Sequence, residues 1–316
     1  MIHPLGKSAD CMNAEGKGTS GGVPHISVCI CTFKRPALLK RLLESLREQD
    51  TNGLFSFSIV VVDNDRSESA RSVVEKFATG SPLRVAYFVE PRQNIALARN
   101  KAVEQATGDF VAFIDDDEFP SREWLRNLFA TCHKYEASGV LGPVRPHFLQ
   151  TPPAWMTKGR FAERPTYPTG HVLQWRQSRT GNVLLKKEIV GGEDLAFRVQ
   201  FGTGGEDVDF FERMMKKGCV FVWCNEAEVF EEVPPDRCTR KYHLRRALLR
   251  GKNSLEREGI KAGSLGKSLL AISLYGCAFP FLLIMGQHRF MEYAIKFSDH
   301  AGKLLALIGL NPVRER

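Results

Sequence analysis

The sequence predicts an α/β fold with a mostly parallel, Rossmann-like central sheet. Strand and helix patterns alternate four times after Ile26. The candidate strands, such as Phe57–Val62, are apolar throughout, which is typical of parallel strands covered by helices on both faces. Short polar stretches follow the first, second and fourth strands. Because ligands of such sheets bind beyond the carboxyl ends of the strands, we expect the functional site there.

The first three strand–helix units are predicted by β-branched runs that alternate with apolar residues at helical spacing. Pro36 suits the first position of a helix, since the N–H that a proline lacks would be unpaired there. The expected strands are Ile26–Thr32, Phe57–Val62 and Arg84–Val89, and the expected helices are Pro36–Glu48, Ser69–Phe77 and Asn94–Ala106.

The fourth strand, Phe110–Ile114, runs directly into four acidic residues, Asp115–Glu118. Ser121 is expected to cap the next helix, with Glu123 in the first turn. Further along the chain, the pattern predicts a strand at Asn182–Lys186, a helix at Glu206–Lys217 and a strand at Cys219–Trp223.

Between these regions, Arg145–Gly181 is rich in proline, tryptophan, arginine and glycine and is predicted to form long loops over a site. Its aromatic side chains could stack on sugar rings, and core packing is an equally good interpretation of each one. They are Trp155, Phe161, Tyr167 and Trp175.

The charge distribution divides the chain. The protein has 316 residues and a formal charge of +8. Residues 233–316 contain 15 Lys and Arg against 6 Asp and Glu, a net charge of +9, and the remainder has a net charge of −1. We therefore expect a flexible leader at 1–25, a catalytic domain at 26–232 and a basic, apolar, helical region at 233–316.

The last region contains a candidate membrane element. Ser268–Gly286 carries no charged residue over 19 positions, which is near the lower limit for a spanning helix. Pro280 and the glycines favour a hairpin or an interfacial element over a straight span. Phe290–Leu310 is predicted to be amphipathic. We expect a peripheral or monotopic attachment to an anionic membrane surface.

The acidic run after the fourth strand is a candidate metal site. Side chains two positions apart in an extended chain point the same way, so Asp115 and Asp117 could converge on one cation. Mg²⁺ and Mn²⁺ prefer oxygen ligands and often share them with substrate phosphates. The alternative is a solvated acidic turn that caps the next helix.

Two other acidic positions have candidate roles. Asp63 ends the second strand, where a carboxylate can accept hydrogen bonds from a nucleoside, or can simply stabilise a turn. Glu206 and Asp207 follow two glycines at the start of a helix, where a carboxylate suits a general base that removes a hydroxyl proton. Charge capping of the helix is the alternative there.

The basic helix predicted at Arg240–Lys252 contains His243, Arg246 and Arg250. These side chains could stabilise a diphosphate leaving group or could contact lipid head groups, and the pattern does not separate the two. We expect no nucleic-acid partner, because no recognised binding module is present and the basic run lies beside an apolar segment.

Several fragments, taken in order, form a family pattern. The chain resembles the family 2 glycosyltransferases and their GT-A fold over roughly residues 26–253. A later part, EVPPDR followed by HLRRALLRGKN, resembles a bacterial polysaccharide subgroup that includes succinoglycan transferases. The fragments that carry the family resemblance are ISVCICTFKRP, VVVDNDRS, NIALARNKAVEQATGDFVAFIDDDE, TGNVLLKKE and GTGGEDVDFFERMMKKG.

The resemblance implies inverting transfer of a sugar from a nucleotide-diphosphate donor, expected to be a UDP-hexose. The implied acceptor is a lipid-linked saccharide, and the implied place is the cytoplasmic face of the inner membrane. Processive synthases of the family carry Q-x-x-R-W where this chain reads His243-Leu-Arg-Arg246-Ala247. The missing tryptophan argues against a processive polymerase.

The resemblance also assigns site residues. Asp115 and Asp117 fall on a D-x-D motif, in which the second aspartate binds Mg²⁺ or Mn²⁺ and the first approaches the ribose. Asp207 matches the catalytic base, and Glu206 would orient the acceptor. The positions that match nucleotide or donor-sugar contacts are Thr32, Lys34, Asp63, Arg99 and Asp116.

Two other functions are weighed against this one. A sugar nucleotidyltransferase would carry a glycine-rich basic loop after the first strand, and the sequence there is TFKRP. A catalytically inactive nucleotide- or lipid-binding scaffold could have the same fold, but all the acidic positions of the motifs are present in this chain.

Overall fold

A computed structural model describes residues 22–192, 196–202, 204–258 and 262–310. The strands are β1 His25–Thr32, β2 Ser56–Asp63, β3 Val85–Val89, β4 Phe110–Ile114, β5 Glu118–Pro120, β6 Gly139–Leu141, β7 Val144–Phe148, β8 Asn182–Lys186, β9 Phe221–Trp223 and β10 Val229–Val233. The α-helices are α1 Pro36–Arg47, α2 Arg71–Thr79, α3 Ile95–Gln105, α4 Trp124–Lys134, α5 Ala154–Lys158, α6 Glu206–Lys216, α7 Arg240–Glu258, α8 Ala262–Ile284 and α9 Gln287–Leu307.

Seven strands form the central sheet in the order β3-β2-β1-β4-β8-β6-β9. The pairs among β3, β2, β1 and β4 are parallel, as is β6 with β9, whereas β8 is antiparallel to both of its neighbours. The mostly parallel α/β fold predicted from the sequence is therefore confirmed. The register pairs Thr32 with Asp63 at the carboxyl edge, where the polar stretches meet.

Both faces of this sheet are covered, which explains its apolar strands. One face packs against α1, α2 and α4, and the leucines of α1 at helical spacing are fully buried there. The other face packs against α3 and α6, with Phe210 and Phe211 in its core. Burial of each such side chain stabilises the fold by about 2 kcal/mol.

The chain divides into two compact units, each described by itself. The described part of the first covers 22–145 and 164–231, and that of the second covers 146–163 and 232–310. The expected boundary at 232 lies one residue away from the observed change. Segment 146–163, expected in the catalytic domain, belongs to the second unit because Trp155 and Met156 are buried there with Val233 and Met291.

The start of the chain and the start of α4 differ from expectation. Most of the expected leader, 1–21, lies outside the described residues, and His25 already belongs to β1. The predicted cap at Ser121 is wrong, since α4 begins at Trp124. The Ser121 hydroxyl is buried and has no hydrogen-bond partner among the described residues. Its backbone N–H donates to the Glu228 carbonyl at 2.9 Å, which places Ser121 at the end of β5 and not on the helix.

In the second unit, α9 packs against both α7 and α8. Of the break or kink expected at Pro280, the break is absent, because α8 continues through this proline, which removes one backbone hydrogen bond from the helix. Within the described residues, Gly263–Ile284 is the one helical stretch long and apolar enough to cross a membrane, and 11% of it is buried in the protein. Its exposed apolar side chains include Leu270, Phe281 and Ile284.

Candidate active site

A cavity of about 670 Å³ opens at the carboxyl edge of the sheet in the first unit. Five of the residues singled out from the sequence line it, namely Thr32, Arg99, Asp115, Asp116 and Asp117. Its other lining residues were not identified from the sequence, and they are Cys31, Phe33, Arg35, Asn64, Gln93, Asn94, Ile95, Gly202 and Glu231.

Asp116 is held by neighbours on β1 and on the turn that follows. The Thr32 hydroxyl donates to one of its carboxylate oxygens at 2.8 Å, and the Arg35 guanidinium donates to the other at 3.0 Å. Burial raises the pKa of Asp116 to about 6, although Arg35 and Thr32 act in the opposite direction. The same Arg35 nitrogen lies 3.1 Å from Asp117. Through its contacts with Asp116 and Asp117, Arg35 thus links the acidic segment to the turn that follows β1.

Arg99 connects the acidic segment with the start of α6. Its guanidinium forms an ion pair with Glu206 and lies 3.6 Å from a carboxylate oxygen of Asp115. The side chains of Arg99 and Glu206 are both buried. Burial opposes the charged form of Arg99, but the two carboxylates outweigh it and raise its pKa. Burial raises the pKa of Glu206, and Arg99 opposes that rise.

A second carboxyl group, that of Glu118, lies beside Asp115. The backbone N–H of Asp115 donates to Glu118 Oε2 at 3.2 Å, while Glu118 Oε1 is buried without a partner in the described protein. Burial raises the pKa of both carboxyl groups, and their mutual proximity adds to the rise for Glu118. A Cβ at Gly181 would lie 2.9 Å from Glu118 Oε1 and 3.0 Å from Asp115 Oδ2. Only glycine therefore fits beside these carboxylates without a shift.

Two glycines set the geometry of the predicted base. Gly204 and Gly205 have φ angles of +131° and +98°, in the left-handed region that favours glycine. The turn that they form begins α6 at Glu206. Asp207, in the first turn, is half-buried, and its carboxylate accepts a hydrogen bond from the Val208 N–H at 2.7 Å. Asp207 follows the Arg99-bound Glu206 but is not itself among the residues that line the cavity.

Asp63 points away from the cavity. It is fully buried, and its carboxylate accepts hydrogen bonds from the Asp65 N–H at 3.1 Å, the Ala70 N–H at 2.8 Å and the Tyr87 hydroxyl at 2.9 Å. These contacts support the turn alternative for Asp63. The assignment to nucleoside binding stays a prediction.

Asn64, the next residue, does line the cavity. Its amide donates to the carbonyl oxygens of Glu90 at 2.8 Å and Arg92 at 2.6 Å, and its oxygen accepts from the Asn94 N–H at 2.9 Å. Asn94 in turn caps α3 through two backbone N–H groups. Asn64 follows a buried strand and Asn94 stands at a helix start. These two sequence signals could have identified this side of the cavity.

Lys34, predicted to contact the nucleotide, is also outside the cavity lining. Its φ of +54° is in the left-handed region, and its ammonium lies 5.1 Å from the ring centroid of Phe33. The neighbouring Arg35, and not Lys34, reaches the acidic segment.

The predicted basic contacts belong to the second unit. The His243 ring lies edge-on to Trp155 at 5.6 Å between ring centroids, and burial lowers its pKa. Arg246 donates to the Tyr242 hydroxyl at 2.8 Å. Arg250 forms a bidentate pair with Asp299 at 3.1 and 2.9 Å.

The aromatic side chains of the 145–181 segment pack in or against apolar clusters. Trp155 is buried in the apolar cluster of the second unit, and Phe161 packs against the same cluster. Tyr167 stacks on His171 with ring centroids 4.7 Å apart, and Trp175 packs against the core beneath the sheet. The geometry favours core packing for Trp155, whereas Phe161, Tyr167 and Trp175 are partly exposed and both interpretations stay open for them.

The structure gives limited support for a metal site by itself. Within the described ranges, no three His, Cys, Asp or Glu side chains are grouped so that they could hold an ion. Asp115 and Asp117 nevertheless line one cavity, with the unpaired Glu118 oxygen beside Asp115. This excess of carboxylate oxygens fits a hard divalent cation.

Fold and site together define a glycosyltransferase with a GT-A-like fold. The family model "Glycosyl transferase family 2" matches residues 27–189. The chain is also 33% identical to "Succinoglycan biosynthesis protein ExoM" of Rhizobium meliloti (strain 1021) over 299 residues, which cover 92% of this chain and 95% of that protein. This protein therefore belongs to glycosyl transferase family 2, whose enzymes generally use a divalent metal.

Two further comparisons agree with this assignment. A Campylobacter jejuni relative, "GalNAc(5)-diNAcBac-PP-undecaprenol beta-1,3-glucosyltransferase", is 34% identical over 98 residues, or 30% of each chain. The crystal structure of Staphylococcus aureus TarS 1–349 in complex with UDP-GlcNAc has a TM-score of 0.53 at 16% identity and covers 92% of this chain and 93% of that one. The TarS likeness shows the fold.

The family decides between the functions weighed from the sequence. The predicted resemblance to the family 2 enzymes and to the succinoglycan subgroup is confirmed. The sugar nucleotidyltransferase alternative is set aside, because the matching family and the named relatives are glycosyltransferases.

Proposed function

We propose that the protein transfers a hexose from a UDP-linked donor to a lipid-linked saccharide, with inversion, in bacterial polysaccharide biosynthesis. The relative over most of the chain is named for succinoglycan biosynthesis. The Campylobacter jejuni relative is named for a glucosyl transfer and for a PP-undecaprenol saccharide. The PP-undecaprenol name supports a lipid-linked acceptor for this chain, and the complex of TarS with UDP-GlcNAc supports a sugar-nucleotide donor.

The position of Arg99 is the observation that carries the proposal. Its guanidinium contacts Asp115 of the acidic segment and Glu206 at the start of α6. A displacement reaction needs the donor's reacting carbon and the acceptor's base in one place. Because Arg99 holds the two segments together, a donor bound near Asp115 and Asp116 would have its sugar close to the start of α6.

Asp207 is the proposed general base. The acceptor hydroxyl is a weak nucleophile, so Asp207 takes its proton while the oxygen attacks the anomeric carbon. The new carbon–oxygen bond forms as the bond to the diphosphate breaks, and the nucleoside diphosphate leaves from the opposite face. One such displacement converts an α-linked donor into a β-linked product. Glu206 is tied to Arg99, which leaves the half-exposed Asp207 for proton transfer.

Asp115 and Asp117 are the proposed ligands of Mg²⁺ or Mn²⁺. When bound, such an ion would offset the charge of the diphosphate leaving group. Arg35 and Thr32 keep Asp116 in position beside them. Arg35 also reduces the repulsion between the neighbouring carboxylates when no ion is present.

The second unit is proposed to attach the protein to the cytoplasmic face of the inner membrane. The apolar surface of α8 is largely exposed, and the surrounding region carries the net charge of +9. An apolar helix with basic flanks suits an anionic membrane surface. Arg246 and Arg250 stay candidates for head-group contact, whereas the half-buried His243 is better explained by its aromatic neighbours.

One experiment tests this function. Purified full-length protein is incubated with UDP-glucose, UDP-galactose or GDP-mannose, Mn²⁺ and a bacterial lipid extract. We expect transfer from a UDP donor to a lipid-soluble product with a β-linkage. Donor binding without transfer from any donor would favour the inactive scaffold, and an α-linked product would contradict inversion.

A further inference from the structure

A second cavity lies inside the second unit, among α7, α8 and α9. Its volume is about 520 Å³. The first turns of α8 form one wall and the middle of α9 forms the opposite wall. Its lining residues are Arg250, Gly251, Asn253, Ser254, Ser264, Lys267, Ser268, Asp299, His300 and Lys303.

The lining is basic and rich in hydroxyl groups. Lys303 is 7% exposed, and its ammonium donates to the Ser264 hydroxyl at 2.7 Å. The His300 ring nitrogen Nδ1 lies 3.1 Å from the Ser268 hydroxyl, and Ser268 is 2% exposed. Among the described lining residues, Asp299 is the one carboxylate, and Arg250 neutralises it with a bidentate pair. Over the described lining residues, the Arg250–Asp299 pair is formally neutral, and Lys267 and Lys303 add two ammonium groups.

Close backbone contact between α7 and α9 makes this cavity a built site. A Cβ on Gly251 would lie 1.9 Å from the Asp299 carbonyl oxygen, and one on Gly302 would lie 2.1 Å from the Leu248 carbonyl oxygen. Only glycine allows the helices to approach so closely. The crossing therefore fixes Asp299 and Lys303 relative to Arg250.

The cavity also lies at one end of the apolar surface of α8. Ser264, Lys267 and Ser268 are in its first two turns, and the exposed leucines Leu269 and Leu270 follow directly. If that surface enters the apolar part of a membrane, the cavity is at the level of the head groups. A basic, hydroxyl-lined pocket at that level suits a phosphate group.

We propose that this cavity binds the phosphate group of an anionic membrane lipid, with Lys267, Lys303 and His300 as its ligands. This inference rests on the proposed membrane attachment through α8. It goes beyond that attachment because it assigns a specific site, whereas a basic surface would respond only to total charge.

The test is co-sedimentation of the full-length protein with vesicles. Three compositions are used: phosphatidylcholine alone, phosphatidylcholine with phosphatidylglycerol, and phosphatidylcholine with a polyprenyl diphosphate. The cavity variant carries Lys267→Gln and Lys303→Gln. The control carries Lys241→Gln and Lys296→Gln, which remove the same charge from exposed positions of the same unit outside the cavity.

We expect the cavity variant to lose at least about tenfold more affinity than the control for vesicles that contain an anionic phosphate lipid, because charge-assisted hydrogen bonds are lost along with the charge. Binding to phosphatidylcholine alone should not change. The composition that shows the loss identifies the lipid as an anionic phospholipid or a polyprenyl carrier. Equal losses in both variants would overturn the proposal.

Two additional measurements keep the outcome clear. The single change Lys267→Gln alters an exposed side chain, so it tests the site without endangering the fold, and it should give a smaller loss of the same kind. Inorganic pyrophosphate should lower the vesicle affinity of the parent protein to about that of the cavity variant, because it competes for the cavity, and should not change the affinity of the cavity variant. An equal loss of affinity in both proteins would overturn the proposal. Sugar transfer in the lipid extract is measured separately on the parent protein. A failure of that assay bears on the proposed transferase function, and a failure of vesicle binding bears on the lipid site.

Discussion

The guanidinium of Arg99 forms a buried ion pair with the carboxylate of Glu206, 107 positions further along the chain. Arg99 is on α3 and Glu206 begins α6, so this pair joins two helices on the same face of the sheet. Asp115, which follows β4, lies 3.6 Å from the same guanidinium. The Arg99 guanidinium therefore holds together the two acidic segments of the proposed active site, which are the one at Asp115 and the one at Glu206.

Substitution of Arg99 by methionine should destabilise the protein strongly. It would leave the Glu206 carboxylate buried without a partner, which costs about 3–5 kcal/mol in the free energy of unfolding. Arg71→Met is the control, because Arg71 pairs with Glu68 and Glu75 on the surface, where solvent screens such pairs, and its loss should cost much less. Urea denaturation measures both. A similar small effect for the two variants would contradict a structural role for the Arg99 pair.

Substitution of Gly205 by alanine should disturb the start of α6. The φ of +98° is strained for any residue with a Cβ, and we expect a loss of about 1–2 kcal/mol in stability. Gly80→Ala is the matched control, since Gly80 ends α2 at a φ of −101° and a Cβ there meets its nearest atom at 3.8 Å. Thermal unfolding compares them. Equal melting temperatures would show that the left-handed turn is unimportant for stability.

Chelation and the Asp117→Asn variant test the metal site. EDTA should abolish transfer, and added Mn²⁺ or Mg²⁺ should restore it. Loss of one carboxylate ligand should raise the metal concentration needed for half-maximal activity by at least about tenfold. Glu104→Gln, an exposed charge change elsewhere in the first unit, should have no effect on that concentration. Full activity in EDTA would remove the metal from the account.

Cys277 offers a test of α8. Its thiol is exposed on the apolar helix, whereas Cys29, Cys132 and Cys224 are buried. Burial raises the pKa of the Cys132 thiol to about 11, which suppresses its reaction with maleimide further. We expect peptide mapping to find rapid labelling of Cys277 in solution and protection when vesicles are present. Equal labelling with and without vesicles would mean that this face of α8 stays in water.

The sequence alone predicts the sheet well because its signals are local. The residues of β4 and β8 are almost all buried, and the observed bounds of both strands match the predicted ones. The start of α4 was harder to predict. Ser121 has the residue type of a cap, but it directly follows β5, whose pairing with the distant strand β10 sets the path of the chain there, and α4 begins three residues later. Such a competition depends on tertiary contacts, which no local pattern contains.

The site was predicted in part for the same reason. The acidic segment after β4 and the pair after Gly205 are visible in the sequence, and Arg99 joins them in the structure. Which of two neighbours faces the cavity was not visible. Asp63 turns into its own loop while Asn64 faces the cavity, and the left-handed turn at Lys34 presents Arg35 instead. One dihedral angle decides each case.

The most direct test of the central claim is the rate of sugar transfer by the Asp207→Asn variant in a single turnover with saturating donor. Removal of a general base should lower this rate by about 10²–10⁴-fold, with donor binding unchanged. Glu212→Gln, on the same helix and paired with Lys216 at the surface, should keep the parental rate. A transfer rate near that of the parent in Asp207→Asn would contradict the assignment of Asp207 as the base.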